Sequence, residues 1–362
     1  MSTTETDPRD APRASGGGES AEPILSARDV EVAFAAGFAP GGGRGTARAV
    51  DGVNLDVSAG EIVALVGESG CGKTTLARVL LGLERPTGGV VVFEGRPMRY
   101  GSRDLRAYRR RVQLVQQDPT GSLNPRRTVY ESVAEGLRIH EGTTADEAAR
   151  VAGALSRAGL RPPERFLARY PHELSGGQRQ RVVIAGALVL DPEVLVADEP
   201  VASLDASVRG EILRLLLDLR DELGLSALVA THDLGLAWNI ADRVAVMYLG
   251  RVVELGTVEE VLAEPAHPYT RALLSVLPDA GEGEPVVLAG EPPDPKQVPP
   301  GCRFHPRCPV LASGEAERAG VADLCRTVDP AVLGGGAERR VACHWAAADG
   351  AGRVRAEVRG AG

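Results

Sequence analysis

The sequence predicts an α/β fold: a largely parallel sheet covered by helices, interrupted by an inserted helical subdomain and followed by a small cysteine-containing extension. Three observations predict it. From Ile24 onward, short apolar runs alternate with stretches of helical periodicity, the pattern of a parallel sheet wrapped by helices. The strand signal vanishes between about residues 120 and 190. After Pro278 the chain becomes dense in Gly, Pro and acid, and four of its five cysteines fall in the last 61 residues.

In chain order, residues 1–23 are rich in Ser, Thr, Gly, Pro and acid and read as a disordered tail. Ile62–Val66 is an apolar strand ending at Gly67, and Lys73–Leu83 has helical periodicity. Val112–Val115 is a short strand. Val129–Leu137, Ala145–Ala158 and Gly176–Leu190 read as the helices of the inserted subdomain, about residues 120–190. Glu193–Ala197 is a buried-type strand before two acids. Ser207–Leu223 is a helix with Ile212, Leu215, Leu216 and Leu219 on one face, and Ser226–Thr231 is a β-rich run that stops at His232. Residues 24–278 form the main domain, 279–300 a linker, 301–345 the cysteine region and 346–362 a flexible tail. No internal repeat occurs.

The chain has 362 residues, 43% of them hydrophobic and 25% charged, which is ordinary for a globular protein. Aromatics make up only 4%, so the core must come from Val, Leu, Ile and Ala. The net charge of -8 argues against a protein that coats nucleic acid. No apolar run approaches the roughly 18–20 residues needed to span a bilayer, and the first 23 residues lack the apolar core of a secretory signal. The expected location is the cytoplasm, with any membrane association supplied by a partner.

Gly67-Glu68-Ser69-Gly70-Cys71-Gly72-Lys73-Thr74 matches the phosphate-binding loop G-x-x-x-x-G-K-[ST] between a strand and a helix. Its glycines let backbone N–H groups converge on phosphate oxygens, and the helix adds its positive end. Gly67, Ser69, Gly70, Gly72, Lys73, Thr74 and Thr75 are the candidate contacts. Lys73 would bind the β- and γ-phosphates and the Thr74 hydroxyl Mg²⁺; Cys71 fills a permissive position. Val194–Ala197 delivers Asp198 and Glu199 at a strand end. Asp198 can hold Mg²⁺ through water, and Glu199 can polarise the attacking water. Leu174-Ser175-Gly176-Gly177-Gln178 opens a helix and makes a second anion-binding N-terminus. One pair of acids with two phosphate sites implies that Ser175 serves a nucleotide held by another chain. Arg106, Arg109, Arg110 and Arg111 form a basic run, either a solvated helix face or a contact for anionic lipid or an acidic partner.

Taken in order, Gly67–Thr74, Leu174–Gln178, Asp198–Glu199 and His232 resemble the ATP-binding subunit of an ABC transporter, a P-loop NTPase, over residues 24–278. The resemblance implies that Phe34 stacks on adenine and that Gln117 touches Mg²⁺ and senses the membrane domain. It implies that Ser175, Gly177 and Gln178 close on the γ-phosphate of the opposite subunit. Ser203-Leu204-Asp205 resembles the D-loop at the dimer seam, and His232 the switch histidine on the γ-phosphate. Two departures remove no catalytic group: Gln116 stands where an aromatic is common, and Ala202-Ser203 replaces Ser-Ala. The implied catalytic set is Glu199, His232 and Gln117, with ATP and Mg²⁺.

The remaining motifs narrow the family. Ser122-Leu123-Asn124-Pro125, His267–Leu274, Pro300–Pro309 and Val341–His344 resemble the oligopeptide, dipeptide and nickel importer ATPases. That implies a second ATP-binding subunit, two membrane permeases, an extracytoplasmic solute-binding protein reached through the complex, and a place at the cytoplasmic face of the membrane. It implies no nucleic acid partner. Peptide uptake is the expected function, with nickel or another small solute as the alternative, and a soluble ABC-type ATPase or an exporter subunit as rival classes. Cys302, Cys308, Cys325 and Cys343 could hold a [4Fe–4S] cluster or a tetrahedral Zn²⁺, or be buried free thiols. Members of the resembled group are thought to carry such a cluster at matching cysteines.

Overall fold

The strand Ile62–Val66 (β3) is buried at all five positions. A strand with no polar face must be covered on both sides, which is the situation inside a parallel sheet. The computed structural model, which describes residues 22–38, 44–276, 285–331 and 338–348, puts it at the centre of such a sheet. The remaining strands are β1 (Leu25–Phe38), β2 (Arg44–Val57), β4 (Gly88–Phe93), β5 (Arg96–Pro97), β6 (Val112–Val115), β7 (Val194–Asp198), β8 (Ser226–Thr231), β9 (Arg243–Tyr248), β10 (Arg251–Thr257) and β11 (Arg340–Val341). The main sheet has the order β11-β10-β9-β3-β8-β7-β6. From β9 to β6 every pairing is parallel, while β10 and β11 are antiparallel additions.

A second, antiparallel sheet of order β2-β1-β4-β5 adds to what the sequence predicts. Its long β1–β2 ribbon carries several register shifts, and these break the alternation that would mark two long strands. The inner residues Leu25, Ala27, Val30, Val53 and Leu55 pack with Val63, Leu65 and Leu76 in one core. Leu76 lies on the helix α1 (Lys73–Leu80).

The opposite face of the main sheet is covered by helices. After α2 (Ser102–Arg111) and a short α3 (Pro119–Ser122), the inserted subdomain continues as α4 (Val129–His140), α5 (Glu147–Arg157) and α6 (Gly176–Leu188). Each follows the predicted helix to within a few residues. Val133, Leu137, Val151, Leu155 and Ile184 join them to the large core under β3, β7 and β8. The helices α7 (Ala206–Leu223) and α8 (Leu234–Ile240) complete that side, and Ile212, Leu215, Leu216 and Leu219 of α7 are buried as their spacing predicts.

Beyond β10 comes α9 (Pro268–Ser275), then four helices of four to six residues: α10 (Pro309–Ala312), α11 (Glu315–Arg318), α12 (Ala322–Thr327) and α13 (His344–Ala348). They enclose a third core of Ala266, Val310, Ala316, Val321, Cys325, Val341, Cys343 and Trp345. The predicted N-terminal tail up to residue 21, the start of the linker and the end of the C-terminal tail lie outside the described residues. Among the described residues no helix is long and apolar enough to cross a membrane.

The register decides where chemistry can happen. Val66 of β3 stands beside Thr231 of β8, Asp198 of β7 beside Ala230 and Val115 of β6 beside Ala197. Four parallel strands therefore end together, and the segments after them share one crevice, the usual ligand site of an open α/β sheet.

Candidate functional site

The phosphate loop runs from the end of β3 into α1. Gly72 has φ 112°, and a Cβ there would run into the Ala49 carbonyl, so only glycine fits. Lys73 is almost fully buried. Its Nζ donates to the Gly67 carbonyl at 2.6 Å and the Glu68 carbonyl at 3.1 Å. The Cys71 sulfur lies 3.9 Å from the same nitrogen. The lysine is thus held by the loop itself.

Across the crevice, the Thr74 side chain faces the Asp198 carboxyl. Burial raises that carboxyl's pKa against the pull of Thr74, and the neighbouring Glu199 charge adds to the rise. A hydroxyl beside a carboxylate is an oxygen donor set of the kind Mg²⁺ prefers.

Glu199 is the first residue after β7. Its φ of 47° is unusual for a non-glycine residue, a conformation of the kind found at active sites. Its N–H donates to the Ala230 carbonyl at 2.8 Å, which pins the turn to β8. Its carboxylate accepts from Gln117 Nε2 at 3.1 Å through one oxygen. The other oxygen lies 2.9 Å from His232 Nδ1. Gln117 follows β6 and His232 follows β8, so three neighbouring strand ends bring the three predicted catalytic side chains together. Ser203 Oγ donates to the Gln117 carbonyl at 3.4 Å, which brings the predicted D-loop against the same turn.

Other predicted residues stand elsewhere. Ser175 caps α6 in a capping box with Gln178: Gln178 N–H donates to Ser175 Oγ at 3.2 Å and Ser175 N–H to Gln178 Oε1 at 3.1 Å. A Cβ on Gly177 would meet a Val208 methyl at 2.5 Å, so glycine lets α6 approach α7. Among the described residues no hydrogen bond or ion pair joins Ser175–Gln178 to the phosphate loop. Asp205 sits at the N-cap position of α7 without a side-chain cap bond. Phe34 is 43% exposed on β1, opposite Ala47.

The basic run is largely consumed within the fold. Arg109 donates to the Leu81 and Gly82 carbonyls, Arg111 pairs with Glu94 and Glu193, Arg110 pairs with Glu141 and Arg106 donates to the Ile139 carbonyl.

Cys302, Cys308, Cys325 and Cys343 are free thiols that line one cavity with Phe304, His305, His344 and Trp345. Burial pushes Cys325 up to about 11 and Cys343 up to about 12, and raises Cys302 and Cys308 as well. Among the described residues no three His, Cys, Asp or Glu are spaced to hold a single metal ion. The sequence reading also missed the partners of Glu68, which come from Tyr269 and Arg307 far along the chain. No local signal marks a contact across so many residues.

Residues 50–202 match the ABC transporter family, and residues 253–313 match the oligopeptide/dipeptide transporter C-terminal region. The chain is 45% identical over 329 residues to a putative peptide import ATP-binding protein of Brucella abortus strain 2308, covering 89% of this chain and 94% of that one. It is 47% identical over 266 residues to the dipeptide transport ATP-binding protein DppF of Haemophilus influenzae, covering 72% and 81%. Among solved structures it is similar to cbiO1 of Clostridium perfringens, described as part of the ABC transporter complex cbiONQ. There the TM-score is 0.59 and the identity 33%, over 67% of this chain and 92% of that one. A dimeric ATP-binding cassette bound to ADP and Pi gives a TM-score of 0.58 at 30% identity, over 65% and 99%.

Proposed function

The chain belongs to the ATP-binding subunits of ABC peptide importers, and from that premise we propose how its own residues carry ATP hydrolysis. As a member it binds and hydrolyses ATP with Mg²⁺, pairs with a second ATP-binding subunit and works with membrane permease components. The carrying observation is the Glu199 carboxylate held between Gln117 Nε2 and His232 Nδ1 at 3.1 and 2.9 Å.

On this reading Lys73 releases the Gly67 and Glu68 carbonyls and takes the β- and γ-phosphate oxygens. Backbone N–H groups of the Gly67–Thr75 segment, Ser69 and Gly70 included, cradle the rest. The Thr74 hydroxyl and Asp198 carboxylate would hold Mg²⁺, which neutralises charge on the phosphate oxygens. Gln117, whose amide donates to the adjacent Glu199 carboxylate, would join them. Glu199 orients and polarises the attacking water, and His232 steers both Glu199 and the γ-phosphate. Phe34 offers an exposed ring to adenine. The separation of Ser175, Gly177 and Gln178 from the phosphate loop of their own chain supports their acting on the partner's nucleotide, with Asp205 at the seam.

Glu199→Gln is expected to abolish turnover in the assembled transporter, by at least about a hundredfold, while preserving ATP-dependent closure. ATPase activity close to wild type would refute the assignment. The finer placement we propose is the cytoplasmic face of the membrane, with peptide delivered by an extracytoplasmic solute-binding protein. Purification from native membranes, followed by identification of the co-purifying permeases and receptor, tests it.

For the cysteine cavity we propose a [4Fe–4S] cluster held by Cys302, Cys308, Cys325 and Cys343. The four cysteines line one cavity, and four thiolates are the ligand set of such a cluster. A bound cluster would supply a redox-sensitive cross-link among the loops that bear these cysteines. Chain purified without oxygen should contain iron and sulfide and show the visible absorption of a cluster, both lost in Cys343→Ser. Zinc, or no metal, in the anaerobic wild-type chain would overturn the proposal.

A further inference from the structure

Glu68 is the second residue of the phosphate loop, and two distant segments converge on it. Its N–H donates to the Tyr269 hydroxyl of α9 at 2.9 Å. Its carboxylate accepts from both terminal guanidinium nitrogens of Arg307, Nη1 at 2.8 Å and Nη2 at 3.1 Å. Arg307 is largely buried, while the Glu68 side chain is about a quarter exposed. Paired N–H···O bonds from a guanidinium fix a carboxylate in direction as well as position.

Aromatic rings pack beneath this pair. Tyr248, Tyr269 and Phe304 form a triangle of ring contacts with centroids 4.7–5.4 Å apart. Arg307 Nη1 lies 3.5 Å from the Tyr248 hydroxyl. Four residues before Arg307, Arg303 pairs with the buried Asp51 and donates to the Leu249 carbonyl at 2.7 Å. The adjacent Gly250 N–H donates to the Cys71 carbonyl at 2.8 Å. Thus one loop of the C-terminal extension, Cys302–Cys308, reaches the phosphate loop at two places: directly at Glu68, and through Leu249–Gly250 at Cys71.

A carboxylate inside a phosphate-binding loop is a built-in competitor. Freed, it could accept from the same Lys73 ammonium and backbone N–H groups that must receive phosphate. It would also repel the incoming anion. Held by Arg307, it is neutralised and turned toward the extension. We propose that Arg307 is a positioning residue for nucleotide binding: it withholds the Glu68 carboxylate from the phosphate site. The extension thereby sets ATP affinity in a domain that carries the full catalytic set without it. This rests on the phosphate-loop assignment made above.

The test measures binding of a non-hydrolysable ATP analogue with Mg²⁺ to the purified full chain, and KM and kcat in the assembled transporter. Arg307→Gln should raise the dissociation constant and KM about tenfold, with kcat at saturating ATP changed less than about twofold. Glu68→Gln, which removes the competitor, should bind no more weakly than wild type. Arg307→Gln combined with Glu68→Gln should return to within about threefold of wild type, because the charge that Arg307 restrains is gone. A merely structural role for Arg307 predicts the opposite: Glu68→Gln as weak as Arg307→Gln, and no rescue in the pair. Either result overturns the proposal. Should Arg307→Gln fail to fold, as thermal melting would show, Arg307→Lys takes its place. Lysine keeps the charge but loses the fork, so it should show a smaller rise that Glu68→Gln again relieves; an unrelieved rise, or none, refutes the proposal. If wild type itself binds no nucleotide, the phosphate-loop assignment falls. If wild type binds and all variants bind equally, only the clamp falls.

Discussion

His267 is 1% exposed, and its Nδ1 accepts the Tyr269 N–H at 3.0 Å. Burial pushes its pKa from 6.5 down to about 3, and the Arg271 charge acts in the same direction. The neutral ring therefore supports the fold fully above pH 6.5, and that contribution is lost as pH falls toward 3, because only the unfolded chain takes up the proton there. The slope approaches about 1.4 kcal/mol per pH unit inside that window. Glu254, which accepts from the Ala266 and His267 N–H groups, has a raised pKa from its own burial and titrates with the opposite sign. The measurement is therefore a difference: His267→Gln should lose less stability than wild type when denaturant melts at about pH 5.5 are compared with about pH 7.5. Equal losses would mean that His267 does not titrate with unfolding. At this scale much of the site was legible. Lys73, Thr74, Asp198, Glu199 and His232 stand in short motifs whose spacing follows directly from strand ends. Arg307 was not legible, because nothing local in a sequence says that residue 307 will meet residue 68.

Among the elements, α4 shows how a short polar signal fixes a helix start. Thr128 Oγ1 accepts the Glu131 N–H and Glu131 accepts the Thr128 N–H, a complete capping box. Thr128→Ala should cost about 1 kcal/mol of stability and leave nucleotide binding unaltered, as a melt and a binding titration on one preparation would establish. A larger loss would mean that Thr128 holds more than its own helix. The buried strands β3 and β8 were readable to the residue because apolar runs bounded by Gly, charge or His leave little freedom in their ends. The antiparallel sheet was less readable. Its β1 is bulged between Ala27 and Val30 and again between Val32 and Ala33, and each bulge shifts the alternation that marks a half-buried strand.

At the scale of the molecule, the described residues form three hydrophobic cores. The first lies between the antiparallel sheet and the parallel sheet, and the second under the helical subdomain. The third, smaller core belongs to the extension, yet it reaches into the other two through β11 and the Cys302–Cys308 loop. Glu254 faces Val341 and Leu255 faces Arg340 across β10 and β11, and the Ala342 N–H donates to the Val253 carbonyl at 2.8 Å. This pairing covers the middle of β10 with residues almost ninety positions downstream. A protein trimmed to its nucleotide-binding portion would leave the outer side of β10 with bare N–H and C=O groups beside an uncovered apolar patch. Such an edge is a template for a strand from another molecule. A shortened form is therefore expected to self-associate more readily than the full chain, which light scattering on the two forms would check.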